Sequence, residues 1–307
     1  MQKIVTIGGG TGQFQILKGL NNYECEITAV SNMADNGGSS GKLMDDYGIL
    51  PPGDIRQCMV ALGDNDFLRK LFSYRFGKGE QHNLGNLILT ALSDIYQDPV
   101  KAINQASIHL GVEGKVLPVT IDKTILCAKT NKGKLLEGES NLDSFSKEDS
   151  IKSVFYKQEP YLYKEVGEEI RNADKIVFCS GDLYRSIVPN LIVNGMKDAL
   201  LDSSAMKIYV CNLFTKIGTY NFKASNFVNE IEKYSGISLD KIIFNTQIPS
   251  EKVRKKYLSE NSLFVEDDLG KDNRVVRGNY VAEYFNERKT LFRHVPEKIA
   301  REIIALK

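Results

Sequence analysis

The sequence has little of what acid–base and metal catalysts usually draw on. It holds three histidines, His82, His109 and His294, and five cysteines, Cys25, Cys58, Cys127, Cys179 and Cys211, which are far apart and form no Cys-x-x-Cys pair. An odd, scattered cysteine set excludes a disulfide framework, and without a His/Cys cluster there is no structural zinc site. Reduced core thiols are expected, including Cys179 and Cys211 at the ends of strand-like runs. No apolar run reaches the roughly 18 residues of a spanning helix, and the N-terminus enters a strand pattern with no signal-peptide features. A soluble, cytoplasmic protein without membrane insertion is expected. Charge of one sign is lacking too. With 40 Lys+Arg against 39 Asp+Glu, binding nucleic acid or a membrane surface by bulk electrostatics is excluded.

What is present is glycine in telling places. Residues 4–7 form a short β-branched run suited to a central parallel strand, followed at once by Gly8, Gly9, Gly10, Thr11 and Gly12. Phe14, Leu17 and Leu20, with Ile16 beside them, then recur at helical spacing. The turn thus opens onto a helix N-terminus, where uncovered N–H groups and the helix dipole favour an anion. The dinucleotide fingerprint fails, because Gln13 stands where its third glycine belongs. The second strand, 27–30, ends in Ser31-Asn32 and offers no carboxylate to a ribose. A phosphate-bearing small molecule is expected at this turn, and a nicotinamide dinucleotide is not.

Strand-like runs at 4–7, 27–30, 175–179, 207–210 and 241–244 alternate with helical stretches, among them 55–76, 84–96, 99–110 and 296–306. This order predicts an α/β protein, a Rossmann-like three-layer α/β/α sandwich with a largely parallel sheet. Residues 115–152 read as a small antiparallel β-ribbon insert with its exit loop, within a single domain spanning 1–307. Residues 250–258 read as a helix and 267–278 as a charged loop. A homo-oligomer is left open by the sequence.

Polar groups gather where the carboxyl ends of parallel strands build a ligand crevice. After the second strand come Asn32, Asp35, Asn36 and Ser39, set among Gly37, Gly38 and Gly41. Asp35 suits a metal, a base, a sugar hydroxyl or a plain Asp-Asn-Gly-Gly turn. Asp54, after Pro51-Pro52-Gly53, is placed as the N-cap of the next helix and able to shape the site as well. Asn83 reads as a helix cap with Asn86 in the first turn, an amide able to read a base or sugar. Two later strand ends supply Ser180 and Tyr184, and Asn212 and Thr215; Tyr184 reads equally as packing or as a ligand contact. No Ser/His/Asp or Cys/His set is evident, which favours binding, or transfer by positioning, over acid–base hydrolysis.

Gly-Gly-Gly-Thr-Gly at 8–12, Ala-Asp-Asn-Gly-Gly-Ser-Ser-Gly at 34–41, Pro-Pro-Gly-Asp-Ile-Arg at 51–56, Leu-Gly-Asn-Leu at 84–87, Val-Leu-Pro-Val-Thr at 116–120 and Val-Cys-Asn-Leu at 210–213 stand in an order that resembles the YvcK-type gluconeogenesis factors. That family is related to the CofD 2-phospho-L-lactate transferases. The resemblance implies a nucleotide-sugar ligand of the UDP-N-acetylglucosamine type, no required cofactor, and a link to central carbon metabolism and cell-wall morphogenesis. It also implies nucleotide-sugar contacts at Tyr257 and Arg293, chemically an aromatic face and a forked cation. The alternative is a transferase moving a phospholactyl-like group to a deazaflavin acceptor, with magnesium on Asp35 or Asp54. Two departures stand out. Asp182 and Arg185 bring charge into a loop that is neutral in the family, and Pro296 replaces a phosphorylatable threonine.

Overall fold

The computed structural model of the protein describes residues 1–77, 82–146, 148–285 and 290–307. In chain order the first strands are β1 (Gln2–Gly8), β2 (Cys25–Ser31) and β3 (Lys115–Pro118), followed by β4 (Leu126–Thr130), β5 (Leu135–Glu137) and β6 (Ile151–Tyr156). Then come β7 (Lys175–Phe178), β8 (Met206–Val210), β9 (Lys241–Asn245), β10 (Val275–Gly278), β11 (Val281–Phe285) and β12 (Thr290–His294). Seven of them form one sheet in the order β10-β9-β8-β7-β1-β2-β3, with every pairing parallel. A three-stranded sheet, β5-β4-β6, and a hairpin, β11-β12, are antiparallel.

The local reasons are plain along β1. Ile4, Val5 and Ile7 are at most 2 % exposed, as expected for a strand covered by helices on both faces. The helix that follows, α1 (Gly10–Leu20), turns Ile16, Leu17 and Leu20 onto the sheet, fully buried. Each such side chain contributes roughly 1.5–3 kcal/mol of burial. Next come α2 (Gly38–Tyr47), α3 (Pro52–Leu62), α4 (Asp66–Ser73), α5 (Leu84–Tyr96) and α6 (Pro99–Leu110). Prolines at the first turn start α3 and α6, and Gly111 in the left-handed region ends α6. Lys175 looks misplaced in a buried strand. Its Nζ donates to the carbonyls of Ile303 and Ile304 at 2.7 and 3.0 Å, satisfying the end of the terminal helix Pro296–Ala305.

The Rossmann-like layering is as the sequence predicts, but several details are not. Lys115–Pro118 is the edge strand of the main sheet, paired with β2, rather than part of the ribbon. The antiparallel unit therefore begins at β4 and runs past residue 152, through β6. Gly38–Tyr47 continues as helix α2 where a polar loop was expected. The charged stretch 267–278 ends in strand β10, too short and polar to announce itself. All five cysteines are free, and Cys179 and Cys211 are buried with thiol pKa values raised by desolvation, as core thiols are.

Candidate functional site

β1 lies between β2 and β7, so the chain leaves it in one direction along the sheet and returns on its other side. Such a switch point opens a crevice at the carboxyl ends of the strands. A cleft of about 440 Å³ lies there, walled by Gly9–Gly12 after β1, by residues 180–182, 185 and 186 after β7, by residues 212–214 and 216 after β8, and by Phe292, Arg293 and His294 of β12. The approach of α1 to the loop after β7 is so close that a side chain on Gly12 would overlap the Ser180 carbonyl oxygen. Gln13, at the place of the missing third glycine, is buried and donates to Thr6 Oγ1 at 2.9 Å and Val30 O at 3.2 Å, tying α1 to β1 and β2.

The N-terminus of α1 already has an acidic neighbour. Asp54 does not cap α3, whose N-cap is Pro51; it stands in the first turn and accepts a hydrogen bond from the Gly10 N–H. Burial in the wall, reinforced by the charge of Asp35 nearby, pushes its pKa up to about 7. Glu139 and Asp182 line the same cleft, and burial raises both. Arg185 gathers this charge: its Nε donates to Glu139 at 2.6 Å and its Nη1 to Asp143. Asp182 accepts the N–H groups of Tyr184 and Arg185. The two charged residues of this loop thus work together, Asp182 shaping the turn and Arg185 fastening the segment after β5 to the main sheet. His294 is buried and neutral, its pKa pulled down to about 4 by desolvation, with Nδ1 3.3 Å from the Ser180 hydroxyl.

Of the residues expected at the site, Gly9, Gly10, Thr11, Gly12, Asp54, Ser180, Asn212 and Arg293 line the cleft. The others lie behind or beside it. Asn32 is buried and donates to the Arg185 carbonyl. Asp35 accepts from Gly37 N–H at 3.0 Å, closing the turn its sequence describes, and Asn36 accepts from Ser140 N–H. Ser39 and Asn86 bond each other at 3.2 Å, and Asn86 also accepts from Arg56 Nε at 2.9 Å. Tyr184 is buried, with its hydroxyl donating to Glu230, so it packs. Thr215 is fully buried, its hydroxyl accepting from Leu263 N–H. Glu139, Lys216, Phe214 and Phe292 line the cleft but carry no sequence signal. They come from a connection, a loop and a hairpin that only the tertiary fold brings in.

Tyr257 also stands one layer back. Its ring is stacked on Phe214, 3.8 Å between centroids and 7° from parallel, and its hydroxyl accepts from Phe292 N–H at 3.3 Å. Tyr257 supports the aromatic wall, and Phe214 presents it. Tyr257→Phe is expected to leave ligand affinity within about twofold, whereas Tyr257→Ala, which removes a ring contact worth ~0.5–1.5 kcal/mol beyond its area, should weaken it several-fold. Equal losses in both variants, measured by calorimetry, would mean that the hydroxyl itself meets the ligand.

Comparison with known proteins follows the same lines. The family model for 2-phospho-L-lactate transferase CofD matches residues 4–283. A putative gluconeogenesis factor of Thermotoga maritima is 45 % identical over 271 residues, covering 87 % of this chain and 86 % of that protein. The gluconeogenesis factor of Bacillus subtilis is 35 % identical over 315 residues, covering 99 % and 98 %. A crystal structure of a protein from Bacillus halodurans superposes with a TM-score of 0.93 at 34 % identity, over 99 % of each chain. With a matching family model over most of its length and relatives of this closeness end to end, the chain belongs to the YvcK/CofD-like family of gluconeogenesis factors.

Proposed function

We propose that the cleft binds a nucleotide sugar of the UDP-N-acetylglucosamine type, and that binding without turnover ties the protein to carbon metabolism and cell-wall growth. One arrangement carries this reading. The N-terminus of α1, the Arg293 guanidinium and the Phe214–Phe292 aromatic pair, 5.9 Å between centroids, face a single cleft. A diphosphate needs N–H donors and a forked cation, and a base or sugar needs an apolar face. About 440 Å³ is within the usual size of small-molecule sites, roughly 300–1,000 Å³. The names of the relatives support the metabolic half.

Arg293→Ala is expected to weaken UDP-sugar affinity by about 1.5–3 kcal/mol, the range for hydrogen bonds to charged groups, with ligand-free stability nearly unchanged. Arg293→Lys should recover only part, because a point charge loses the planar fork. Calorimetry giving equal affinities for wild type and Arg293→Ala would remove this residue from the site.

The transferase reading has its own support in the family match and in the Asp54 carboxylate on the cleft wall. Among the described residues no three His, Cys, Asp or Glu side chains are grouped to hold a metal. Magnesium would therefore take Asp54 together with substrate phosphates and water, the way it commonly binds. It would supply charge neutralisation at the phosphoryl oxygens, while Arg293 and the α1 turn orient the substrate. Product analysis with an activated phospholactate and a deazaflavin acceptor separates the two readings. Tight UDP-sugar binding with no product supports the regulator, and product formation defeats it.

A further inference from the structure

Beside the cleft, and sharing Thr11, Gln15 and Arg293 with it, lies a second bay of about 400 Å³ whose lining, among the described residues, includes Arg56, Arg75 and Arg293 and no carboxylate. Three guanidiniums around one cavity repel one another unless something negative stands between them. Arg56 is the telling member. It is 6 % exposed, and its hydrogen bonds go to neutral acceptors, from Nε to Asn86 Oδ1 at 2.9 Å and from Nη1 to the Phe72 carbonyl at 3.1 Å. Its Nη2 has no hydrogen-bond partner among the described residues. Asp54 and Asp35 offset part of its charge through space, but no carboxylate among the described residues pairs with it directly, and a buried charge without a direct partner is costly. Burial, with Arg75 beside it, pulls the Arg56 pKa down to about 10.

The chain is also built around this side chain. A Cβ on Gly85 would stand 2.7 Å from Arg56 Cδ and 2.6 Å from the Phe72 carbonyl, so glycine leaves the path for the arginine stem. Asn86, the next residue, fixes the guanidinium and is itself steadied by Asn83, which caps α5 and accepts from the Asn86 N–H at 3.3 Å. Arg56, the end of a motif whose Asp54 serves the cleft, thus meets Leu84-Gly85-Asn86, a motif that the cleft does not use.

We propose that this bay is a second binding site, for a phosphate-bearing small molecule, adjoining the nucleotide-sugar cleft through Arg293. Guanidiniums donating from several sides suit the oxygens of a phosphate, which take forked bonds in more than one direction. The proposal does not depend on what the cleft binds.

The test uses the full chain and inorganic pyrophosphate as the probe. Arg75 is exposed and lines only the bay, so its replacement spares both the fold and the cleft. Calorimetry should show pyrophosphate binding at millimolar concentration or below in the wild type. Binding should be weakened roughly tenfold in Arg75→Gln and further in Arg75→Glu, with Arg75→Lys in between. UDP-N-acetylglucosamine titrations of the same variants should match the wild type. Pyrophosphate binding that is absent from the wild type, or equal in wild type and Arg75→Glu, overturns the proposal. Failure of UDP-sugar binding in the wild type, with Arg75-dependent pyrophosphate binding intact, would sink the nucleotide-sugar reading and leave the bay standing.

Discussion

Gly12→Ala should lose about 3–5 kcal/mol of stability, lowering the melting temperature by on the order of 10 °C, and should distort the cleft enough to abolish ligand binding. Helix propensity argues the opposite way. Gly12 lies inside α1, where alanine is better by about 1 kcal/mol. The added methyl, however, would occupy the space of the Ser180 carbonyl, with the Gly181 nitrogen only 3.2 Å away. Backbone on both sides cannot yield as a side chain can, so α1 and the loop after β7 must separate, and those are the two walls of the site. Gly37→Ala is the control. Its Cβ would meet only Asp35 Oδ1, at an ordinary 3.5 Å, and the position is an N-cap where alanine costs about 1 kcal/mol or less. Urea unfolding of both variants checks the contrast, and a Gly12→Ala protein as stable as Gly37→Ala would refute the packing argument.

Those two glycines show where sequence reading stops. Both sit in glycine-rich turns after parallel strands, and both look like places where backbone meets ligand. What separates them is a neighbour 168 residues further along the chain, Ser180, which no local pattern names. The strands β1, β2, β7, β8 and β9 were legible because a buried parallel strand must be a β-branched run, and that demand is local. β10 is an edge strand of four residues, Val-Val-Arg-Gly, that needs only β9 to complete it. β3 was legible as a strand, but nothing in Lys-Val-Leu-Pro says whether its partner is β2 or a ribbon. The site divides in the same way. Small polar residues just past a strand end were found, yet the direction of each side chain was not: Ser180 and Asn212 face the cleft, while Tyr184 and Thr215 turn inward to Glu230 and Leu263. The charged ring of Glu139, Asp143, Asp182 and Arg185 is closed by ion pairs that span 46 and 42 residues, and only its second half drew attention in the sequence.

Asp54→Asn should make the ligand-free protein more stable at pH 8 and tighten its grip on a phosphate-bearing ligand in metal-free buffer. The stability sign follows from linkage. Asp54 titrates near 7 in the folded chain against an ordinary 3.8. Between those values the folded state therefore holds more protons than the unfolded one, and wild-type stability falls as pH rises through this window and stays low above it. The full interval corresponds to about 4 kcal/mol, an upper bound; the carboxylate also accepts from the Gly10 N–H and from Asn32, bonds that asparagine keeps only in part, so ~1–2 kcal/mol should be recovered. Glu139 and Asp182, raised by burial in the same wall, slope the same way and remain in the variant. The affinity sign follows from position. The carboxylate holds the Gly10 N–H at the very helix terminus that an incoming phosphate would use, so the two like charges repel. Wild-type affinity should accordingly fall as pH rises through 7, and the Asp54→Asn profile should be flatter. If Asp54 instead holds magnesium against substrate phosphates, the substitution will weaken magnesium-dependent binding rather than strengthen metal-free binding. Calorimetry with a UDP-sugar from pH 6 to 8, with and without magnesium, reads both signs, and weaker metal-free binding by Asp54→Asn together with no gain in stability would show that the carboxylate serves the site in its charged form.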